Sequence, residues 1–152
     1  PLEVSVETPQ LRPGFRVLVV EDNEVNALIA QAHLQNLGAE FSRAHDGQEA
    51  VQMAFAEPRP DFILMDKRMP VMDGTTATRK IRSIEVQASC GRTPIVALTA
   101  SPEEADRQEC YAAGMDGLLM KPFTAVQLLQ TIAIYAGEDR EGGRHPLYEF
   151  AA

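Results

Sequence analysis

The sequence has little cysteine, a shortage of positive charge and no long hydrophobic run. Its two cysteines, Cys90 and Cys110, form no CxxC or His-paired arrangement, which favours free buried thiols over a disulfide. Lys and Arg number 14 against 22 Asp and Glu, and the net charge of −8 disfavours nucleic acid and anionic membranes as partners. Neither a signal peptide nor an apolar run near the ~20 residues of a membrane span is found. We therefore expect a cytoplasmic domain that makes no membrane contact.

The composition that remains is that of an ordinary globular domain. The 152 residues are 45% hydrophobic and 24% charged, which suits one compact unit. Residues 1–14 show no helix or strand periodicity and are expected to form an N-terminal linker. Residues 15–136 are expected to form the domain, and residues 137–152, which contain Gly142 and Gly143, a C-terminal tail or linker. We interpret the chain as a piece of a longer protein.

Short apolar runs alternate with amphipathic segments five times along the domain. The runs are Phe15–Val20, Phe41–Ala44, Phe62–Met65, Ile95–Leu98 and Leu118–Met120. The first, third and fourth are continuous and rich in Val, Ile and Leu, which is typical of strands covered on both faces. The second and fifth are weaker and fit the edges of a sheet. Five strand–helix units predict an α/β fold with a doubly wound, five-stranded parallel sheet.

The helices between the runs have recognisable first and last residues. N-terminal capping residues are expected at Asp46, Asp73, Ser101 and Thr124, and glycines that end helices at Gly38 and Gly114. The first helix is predicted over Val25–Leu37. Its core face is predicted to consist of four apolar residues, Val25, Leu28, Ile29 and Ala32.

Residues able to carry chemistry follow four of the five predicted strands. Glu21 and Asp22 follow the first, Asp66 the third, Thr99 the fourth and Lys121 the fifth. Ligands of open parallel sheets bind at the carboxyl ends of the strands, so these side chains should converge. Three carboxylates would repel one another unless a cation joins them, and oxygen ligands suit Mg2+. With an ammonium and a hydroxyl beside the metal, the set predicts a phosphoryl-transfer site with Asp66 as nucleophile.

Each of these residues alone has a simpler interpretation. Glu21 and Asp22 would suit a helix N-terminus, Thr99 an ordinary strand end and Lys121 a solvated surface. Their joint placement at four strand ends favours a functional site.

At these residues the sequence resembles the receiver domain of two-component response regulators, over roughly Phe15–Tyr135. The segments that carry the resemblance are Val19-Val-Glu-Asp-Asn23, Asp66-Lys-Arg-Met-Pro-Val-Met-Asp-Gly74, Pro94-Ile-Val-Ala-Leu-Thr-Ala100 and Lys121-Pro-Phe123. The resemblance implies a flavodoxin-like (βα)5 fold. The Glu-Asp-Asn-Glu-Val-Asn run and the expected linkers are similar to receivers of hybrid histidine kinases.

The resemblance implies a role for the acidic residues. Asp66 would accept a phosphoryl group from a phosphohistidine on a histidine kinase or a histidine phosphotransfer domain. Asp22, Asp66 and the backbone carbonyl of Arg68 would ligate Mg2+, and Glu21 would act directly or through water. The side chain of Arg68 lies near the approach of hydrolytic water, so we hypothesise that it tunes the lifetime of the phosphoryl group; a solvated arginine is the alternative.

The resemblance also implies roles at the fourth and fifth strands. Thr99 and Lys121 would bind the phosphoryl oxygens, and the Lys121–Pro122 bond would be cis. Members of the family commonly have an aromatic residue three positions before the lysine, where this chain has Leu118. A leucine cannot make the same aromatic switch, so we predict a muted conformational response, consistent with a relay or phosphate sink.

Two surfaces are candidates for contact with other proteins. Ala27, Ala30 and Leu34 form a stripe opposite the predicted core face of the first helix, beside which histidine phosphotransfer helices dock in the family. We expect this stripe to contact the phosphodonor. Ile134 and Tyr135 extend beyond the core face of the last helix and could serve a dimer or a neighbouring domain.

Other functions fit the residues less well. A flavodoxin that binds FMN would need a Ser/Thr/Gly-rich loop where this chain has Glu21, Asp22 and Glu24. A haloacid-dehalogenase-like phosphatase has Asp-x-Asp after its first strand, whereas Asp66 follows the third. No GxGxxG or Walker A sequence supports a nucleotide site. The remaining alternative is a pseudo-receiver, which would bind partners without being phosphorylated.

Overall fold

The computed structural model describes residues 9–100, 103–136 and 148–150. The strands are β1 (Pro9–Leu11), β2 (Arg16–Val20), β3 (Glu40–Ala44), β4 (Phe62–Asp66), β5 (Ile95–Thr99), β6 (Gly117–Met120) and β7 (Tyr148–Phe150). The helices are α1 (Glu24–Asn36), α2 (Gly47–Phe55), α3 (Gly74–Gln87), α4 (Glu104–Ala113) and α5 (Ala125–Ala136).

Five of the strands form one parallel sheet. Their spatial order is β3-β2-β4-β5-β6, and each neighbouring pair is parallel. The predicted doubly wound, five-stranded sheet is confirmed, and the two weaker apolar runs form its edges. Burial explains the difference between centre and edge, because β5 is buried at all five positions whereas β3 alternates between exposed and covered ones.

The sheet separates two hydrophobic cores. On one face α1 and α5 supply Ala30, Leu34, Leu128 and Ile132 to a cluster that also contains Phe62. The core on the other face is filled from α2, α3 and α4, and its helix residues are Ala50, Ala54, Ala77, Ile81 and Cys110. Helices cover both faces, so the strand ends at one rim are left free to build a site.

Most of the predicted helix ends are confirmed. The side chains of Asp46 and Asp73 accept hydrogen bonds from the backbone amides of Glu49 and Thr76. Thr124 and Gln127 form a reciprocal capping box, with distances of 2.9 and 3.1 Å. The cap expected at Ser101 lies outside the described residues, and the described part of α4 begins after Glu103.

The predicted core face of α1 is wrong. Ala27, Ala30 and Leu34 are the residues that α1 buries, so the stripe expected to contact a partner is part of the core. Val25, Leu28 and Ile29 are instead 63%, 57% and 46% exposed, and Ala32 is exposed as well. Because α1 has apolar residues on two sides, periodicity alone does not indicate which side meets the sheet.

The segments expected to be linkers contribute described residues. β1 and β7 pair in an antiparallel two-stranded sheet, and Leu11 is buried in the core on the α1 side. Cys90 and Cys110 are both free, and Cys110 is fully buried. Among the described residues, no helix combines the length and the apolar character needed to cross a membrane.

Candidate functional site

The carboxyl ends of four neighbouring strands bring the predicted residues together. Asp66 and Thr99 are the last residues of β4 and β5, Glu21 directly follows β2, and Lys121 follows β6. Adjacent parallel strands end at the same rim, so chain positions that are far apart in sequence become neighbours. The Lys121 ammonium lies 2.8 Å from a carboxylate oxygen of Glu21, 100 residues away along the chain.

Three carboxylates form a compact acidic cluster at this rim. One ligand oxygen each from Glu21, Asp22 and Asp66 lie within 4.8 Å of one another. Glu21 is almost completely buried at 1% exposure, Asp66 is partly buried and Asp22 is exposed. The cluster therefore has a fixed inner wall and an open outer side.

Lys121 neutralises part of this charge. Besides its contact with Glu21, its ammonium lies 3.7 Å from an Asp66 oxygen. The backbone amide of Lys121 donates to the carbonyl of Thr99 at 2.8 Å, which keeps the ends of β5 and β6 together. The Lys121–Pro122 bond is cis, as the resemblance implies.

The environment of Asp66 favours its protonated form. Burial, followed by the negative charge of Glu21, raises the pKa of Asp66 from 3.8 to about 6, although the ammonium of Lys121 acts in the opposite direction. A bound cation therefore stabilises the ionised form of Asp66 more than it would stabilise an ordinary exposed carboxylate. The electrostatics of the cluster thus favour a divalent metal.

The donor set fits Mg2+. All three acidic side chains offer hard oxygen ligands, and the exposed Asp22 leaves the outer side open to water and to a phosphate oxygen. The amide of Asn23 donates to Glu21 Oε1 at 3.2 Å, which restrains one carboxylate of the cluster.

The loop after Asp66 is packed closely against the start of α3. The Gly74 amide donates to the carbonyl of Lys67 at 2.9 Å. A Cβ atom at Gly74 would collide with the backbone carbonyl oxygen of Asp66, so this position requires glycine. The amide of Arg68 points back toward Asp66 Oδ1 at 3.4 Å. The phosphoacceptor candidate is therefore positioned by the turn that follows it.

Lys67 connects this loop to α4. Its ammonium forms ion pairs with Asp106 and, at 3.0 Å, with Glu109. The hydrogen bond to Asp106 raises the pKa of Lys67 and lowers that of Asp106. The residue next to Asp66 is thus tied to a helix on the far side of β5.

The other predicted residues occupy different surroundings. Leu118 is partly buried and packs against the core on the α2–α4 face, and the side chain of Arg68 is exposed. In α5, Ile134 is 71% exposed. Tyr135 is partly buried, with its ring lying where a Cβ atom of Gly117 would be.

Two basic residues beside the site, Lys67 and Arg43, were not predicted from the sequence. Lys67 is described above, and its position directly after Asp66 could have indicated that it lies beside the site. The side chain of Arg43 donates hydrogen bonds to the backbone carbonyls of Glu21 and Asp22. Strand pairing could have indicated Arg43, since a residue near the end of an edge strand lies beside the end of the neighbouring strand.

Two solved structures similar to this chain are receiver domains. The receiver domain of the sensor histidine kinase PA1611 from Pseudomonas aeruginosa PAO1 is 42% identical, with a TM-score of 0.73 over 82% of this chain and 99% of that one, and its crystal structure has a magnesium ion coordinated in the active site cleft. The receiver domain of the Saccharomyces cerevisiae response regulator Ssk1, crystallised with the histidine phosphotransfer protein Ypd1, is 32% identical. Its TM-score is 0.75, over 82% of this chain and 90% of that one.

The curated relatives are much longer than this chain. It is 39% identical over 122 residues to the sensor protein GacS of Pseudomonas syringae pv. syringae, a match that covers 80% of this chain and 13% of GacS. It is 36% identical over 141 residues to the probable histidine kinase 4 of Oryza sativa subsp. japonica, covering 82% of this chain and 14% of that protein.

The family model for the response regulator receiver domain matches residues 17–133, which include the acidic cluster and, apart from Arg16, all five strands of the parallel sheet. This match, the receiver folds of the solved relatives and the convergence of the strand-end residues agree with one another. The chain belongs to the response regulator receiver domain family of two-component phosphorelay signalling.

Proposed function

We propose that Asp66 accepts a phosphoryl group from a phosphohistidine, with Mg2+ held beside it. The observation that carries this proposal is the convergence of three carboxylates, Lys121 and Thr99 at one rim of the sheet. Asp66 is the nucleophile because it ends a central strand and is less buried than Glu21.

The metal ligands are Asp22, Asp66 and the backbone carbonyl of Arg68, with Glu21 acting directly or through water. Bound there, Mg2+ would neutralise the negative charge that builds up on the transferring phosphoryl oxygens. Glu21 is held in place by Lys121 and by the Asn23 amide, so the inner wall of the site is formed before any ligand arrives.

The side chains have separate tasks in the transfer. A carboxylate oxygen of Asp66 forms a bond to phosphorus while the bond from phosphorus to the histidine nitrogen breaks, and that nitrogen keeps the electron pair. Asp66 must be ionised for this step, and the ammonium of Lys121 favours the ionised form. Lys121 and the hydroxyl of Thr99 then bind the phosphoryl oxygens.

Acetyl phosphate with Mg2+ tests the proposal without a protein donor. Intact-mass spectrometry of the wild-type chain should show an added phosphoryl group, and Asp66→Asn should abolish it. A wild-type chain that never acquires the group would instead favour a pseudo-receiver, which binds partners without phosphorylation.

The protein donor is proposed to be a histidine phosphotransfer domain or a histidine kinase that docks on the exposed apolar side of α1. Val25, Leu28 and Ile29 form this side and lie just after the acidic pair in the chain. The similarity to a receiver crystallised with a histidine phosphotransfer protein supports the class of partner. A partner that docks here would bury this exposed apolar surface, which follows the acidic pair in the chain.

Leu28→Glu should slow transfer from a phosphorylated histidine phosphotransfer protein and leave labelling by acetyl phosphate unchanged. Val86→Glu is a matched control, because Val86 is 79% exposed and lies at the opposite end of α3 from Asp66. Equal loss with both donors, or equal slowing by the control variant, would contradict docking on α1.

The wider context is proposed to be a hybrid histidine kinase or a response regulator in the cytoplasm. This chain spans about a seventh of the two curated relatives named above. The two solved relatives are receiver domains of a sensor histidine kinase and of a response regulator. The two free thiols are in keeping with a reducing compartment.

Arg68 is proposed to tune the lifetime of the phosphoryl group through its exposed side chain, which extends from the residue whose amide faces Asp66. Arg68→Ala should change the rate at which the phosphorylated protein loses phosphate. An unchanged rate would mean that Arg68 is only a solvated surface residue.

A further inference from the structure

Arg43 contacts the site from behind, through the backbone. It is the fourth residue of the edge strand β3, and it pairs with Val19 of β2 two positions before Glu21. Its Nε donates to the carbonyl oxygen of Glu21 at 3.1 Å, and its Nη2 donates to the carbonyl oxygen of Asp22 at 3.4 Å. One guanidinium thus spans two consecutive carbonyls.

These carbonyls belong to a stretch where regular structure is interrupted. β2 ends at Val20 and α1 begins at Glu24, so the acidic pair lies between sheet and helix. Backbone groups at such a point need partners from elsewhere, and a planar guanidinium with several donors in fixed directions is suited to hold two of them.

The arginine acts on the backbone rather than on the carboxylates. Among the ion pairs of the residues that the structure describes, those of Glu21 and Asp66 are with Lys121, and Arg43 takes part in none. Two different cations therefore serve the cluster. Lys121 contacts its carboxylates, and Arg43 contacts the chain that carries two of them.

We propose that Arg43 is a positioning residue for the metal site, an inference that rests on the function proposed above. By fixing the Glu21–Asp22 backbone, it keeps both carboxylates within reach of Asp66. The exposed Asp22 depends on this contact most, because burial restrains Glu21 already.

Loss of the Arg43 charge and loss of its positioning role would change the Mg2+ affinity in opposite directions, which makes the proposal testable. A guanidinium near a divalent cation repels it, so removing the charge without any other effect would strengthen Mg2+ binding. Loss of positioning would weaken it. Outer partners that orient metal ligands are typically worth about 10- to 100-fold in affinity.

The experiment is a titration of the full chain with Mg2+ and no phosphodonor, followed by amide chemical shifts in NMR spectra. Arg43→Gln should bind Mg2+ about 10-fold more weakly than the wild type. Arg43→Lys keeps the charge but loses the two-pronged contact, and it should also bind more weakly. Arg16→Gln is the control, since Arg16 begins β2 at the opposite rim and pairs with Glu40 at 2.8 Å.

Every outcome decides one of the two proposals. Unchanged or tighter binding by Arg43→Gln, or wild-type binding by Arg43→Lys, would overturn the positioning role. A wild-type chain that binds no Mg2+ would instead overturn the proposed function. The same spectra report whether each variant is folded, and if Arg43→Gln unfolds, the affinity of the milder Arg43→Lys still distinguishes positioning from charge.

Discussion

At the scale of single residues, the carboxyl group of Asp66 shares its surroundings with a second, more deeply buried acid. Burial and the charge of Glu21 raise the pKa of Asp66 to about 6. Because this exceeds the ordinary value of 3.8, the folded protein binds a proton at Asp66 more readily than the unfolded chain does. The stability that Asp66 contributes is present at low pH and is lost as the pH rises through about 6.

Asp66→Asn should therefore stabilise the protein above pH 6 in the absence of Mg2+, and this advantage should decrease as the pH falls from about 6 to 3.8. The expected gain at the higher pH is on the order of 3 kcal/mol, because the pKa rises from 3.8 to about 6 and one pKa unit corresponds to about 1.4 kcal/mol. Urea unfolding at a pH above 6 and at a pH below 3.8 measures it. Glu57→Gln, which neutralises an exposed acid, is the control; an identical effect of Asp66→Asn at both pH values would contradict the assignment.

Glu85 is a buried acid with a structural role. It is only 4% exposed, and its carboxylate accepts hydrogen bonds from Arg82 and from the amide of Thr93, each at 2.7 Å. Glu85→Ala would remove the acceptor of the buried Thr93 amide and one of the two carboxylates that pair with Arg82, the other being Asp116, so it should cost about 1–3 kcal/mol in urea unfolding. Glu109→Ala, which removes a half-exposed ion pair with Lys67, should cost less than about 1 kcal/mol. Equal losses would show that burial does not determine the cost.

The site residues could be predicted from the sequence because each of them follows a predicted strand. Glu21, Asp66 and Lys121 each follow an apolar run, and a parallel sheet brings such positions to one rim. Arg43 and Glu85 could not be found this way. Their partners are the backbone groups and side chains of other elements, which depend on packing that no local pattern records.

At the scale of elements, α1 shows where periodicity fails. Its apolar residues occupy two sides. Val25, Leu28 and Ile29 are exposed, whereas Ala27, Ala30 and Leu34 are buried. Side-chain hydrophobicity alone predicts that the side with Leu28 and Ile29 is buried. The structure buries the other side, whose two alanines allow α1 to lie close to the strands beneath it.

A pair of substitutions in α1 tests this assignment. Leu34→Ala should lower the free energy of unfolding by about 2–5 kcal/mol, because Leu34 is fully buried. Leu28→Ala should change it by no more than about 0.5 kcal/mol, as expected for a surface position. Urea denaturation of the two variants measures both values, and the reverse ranking would mean that α1 packs with its other side inward.

Two features restrict how far a change at Asp66 can move α4 and α5. The ion pairs of Lys67 with Asp106 and Glu109 hold α4 against the residue next to Asp66. Leu118, three positions before Lys121, has no aromatic ring that could switch between two orientations. We therefore expect a small rearrangement when a phosphoryl mimic binds. Beryllofluoride should shift NMR signals of the loops around Asp66 and leave α4 and α5 largely unchanged; large shifts throughout those two helices would contradict this.

At the scale of the whole molecule, composition predicts which strands are central and which are edges. Runs rich in Val, Ile and Leu occupy the centre of the sheet, and the two weaker runs form its edges. The pairing of β1 with β7 was not predicted, since a contact between segments more than a hundred residues apart leaves no local pattern. Leu11 is buried for the same long-range reason, by packing against elements that follow it in the chain.

Three of the many acidic residues are gathered at the site. Of the 22 Asp and Glu residues, Glu21, Asp22 and Asp66 form the cluster in which one ligand oxygen from each lies within reach of a single ion. The net charge of −8 therefore indicates little about the partner. What distinguishes this rim is the combination of acids with Lys121 at the strand ends.

The most direct test of the account identifies the residue that becomes phosphorylated. After treatment with acetyl phosphate and Mg2+, borohydride reduces an acyl phosphate to an alcohol, so a phosphorylated aspartate is converted to homoserine. Peptide mass spectrometry should find homoserine at position 66 and nowhere else. Homoserine at Asp22 instead, or an unmodified chain under conditions in which it binds Mg2+, would contradict the assignment of Asp66 as the phosphoacceptor.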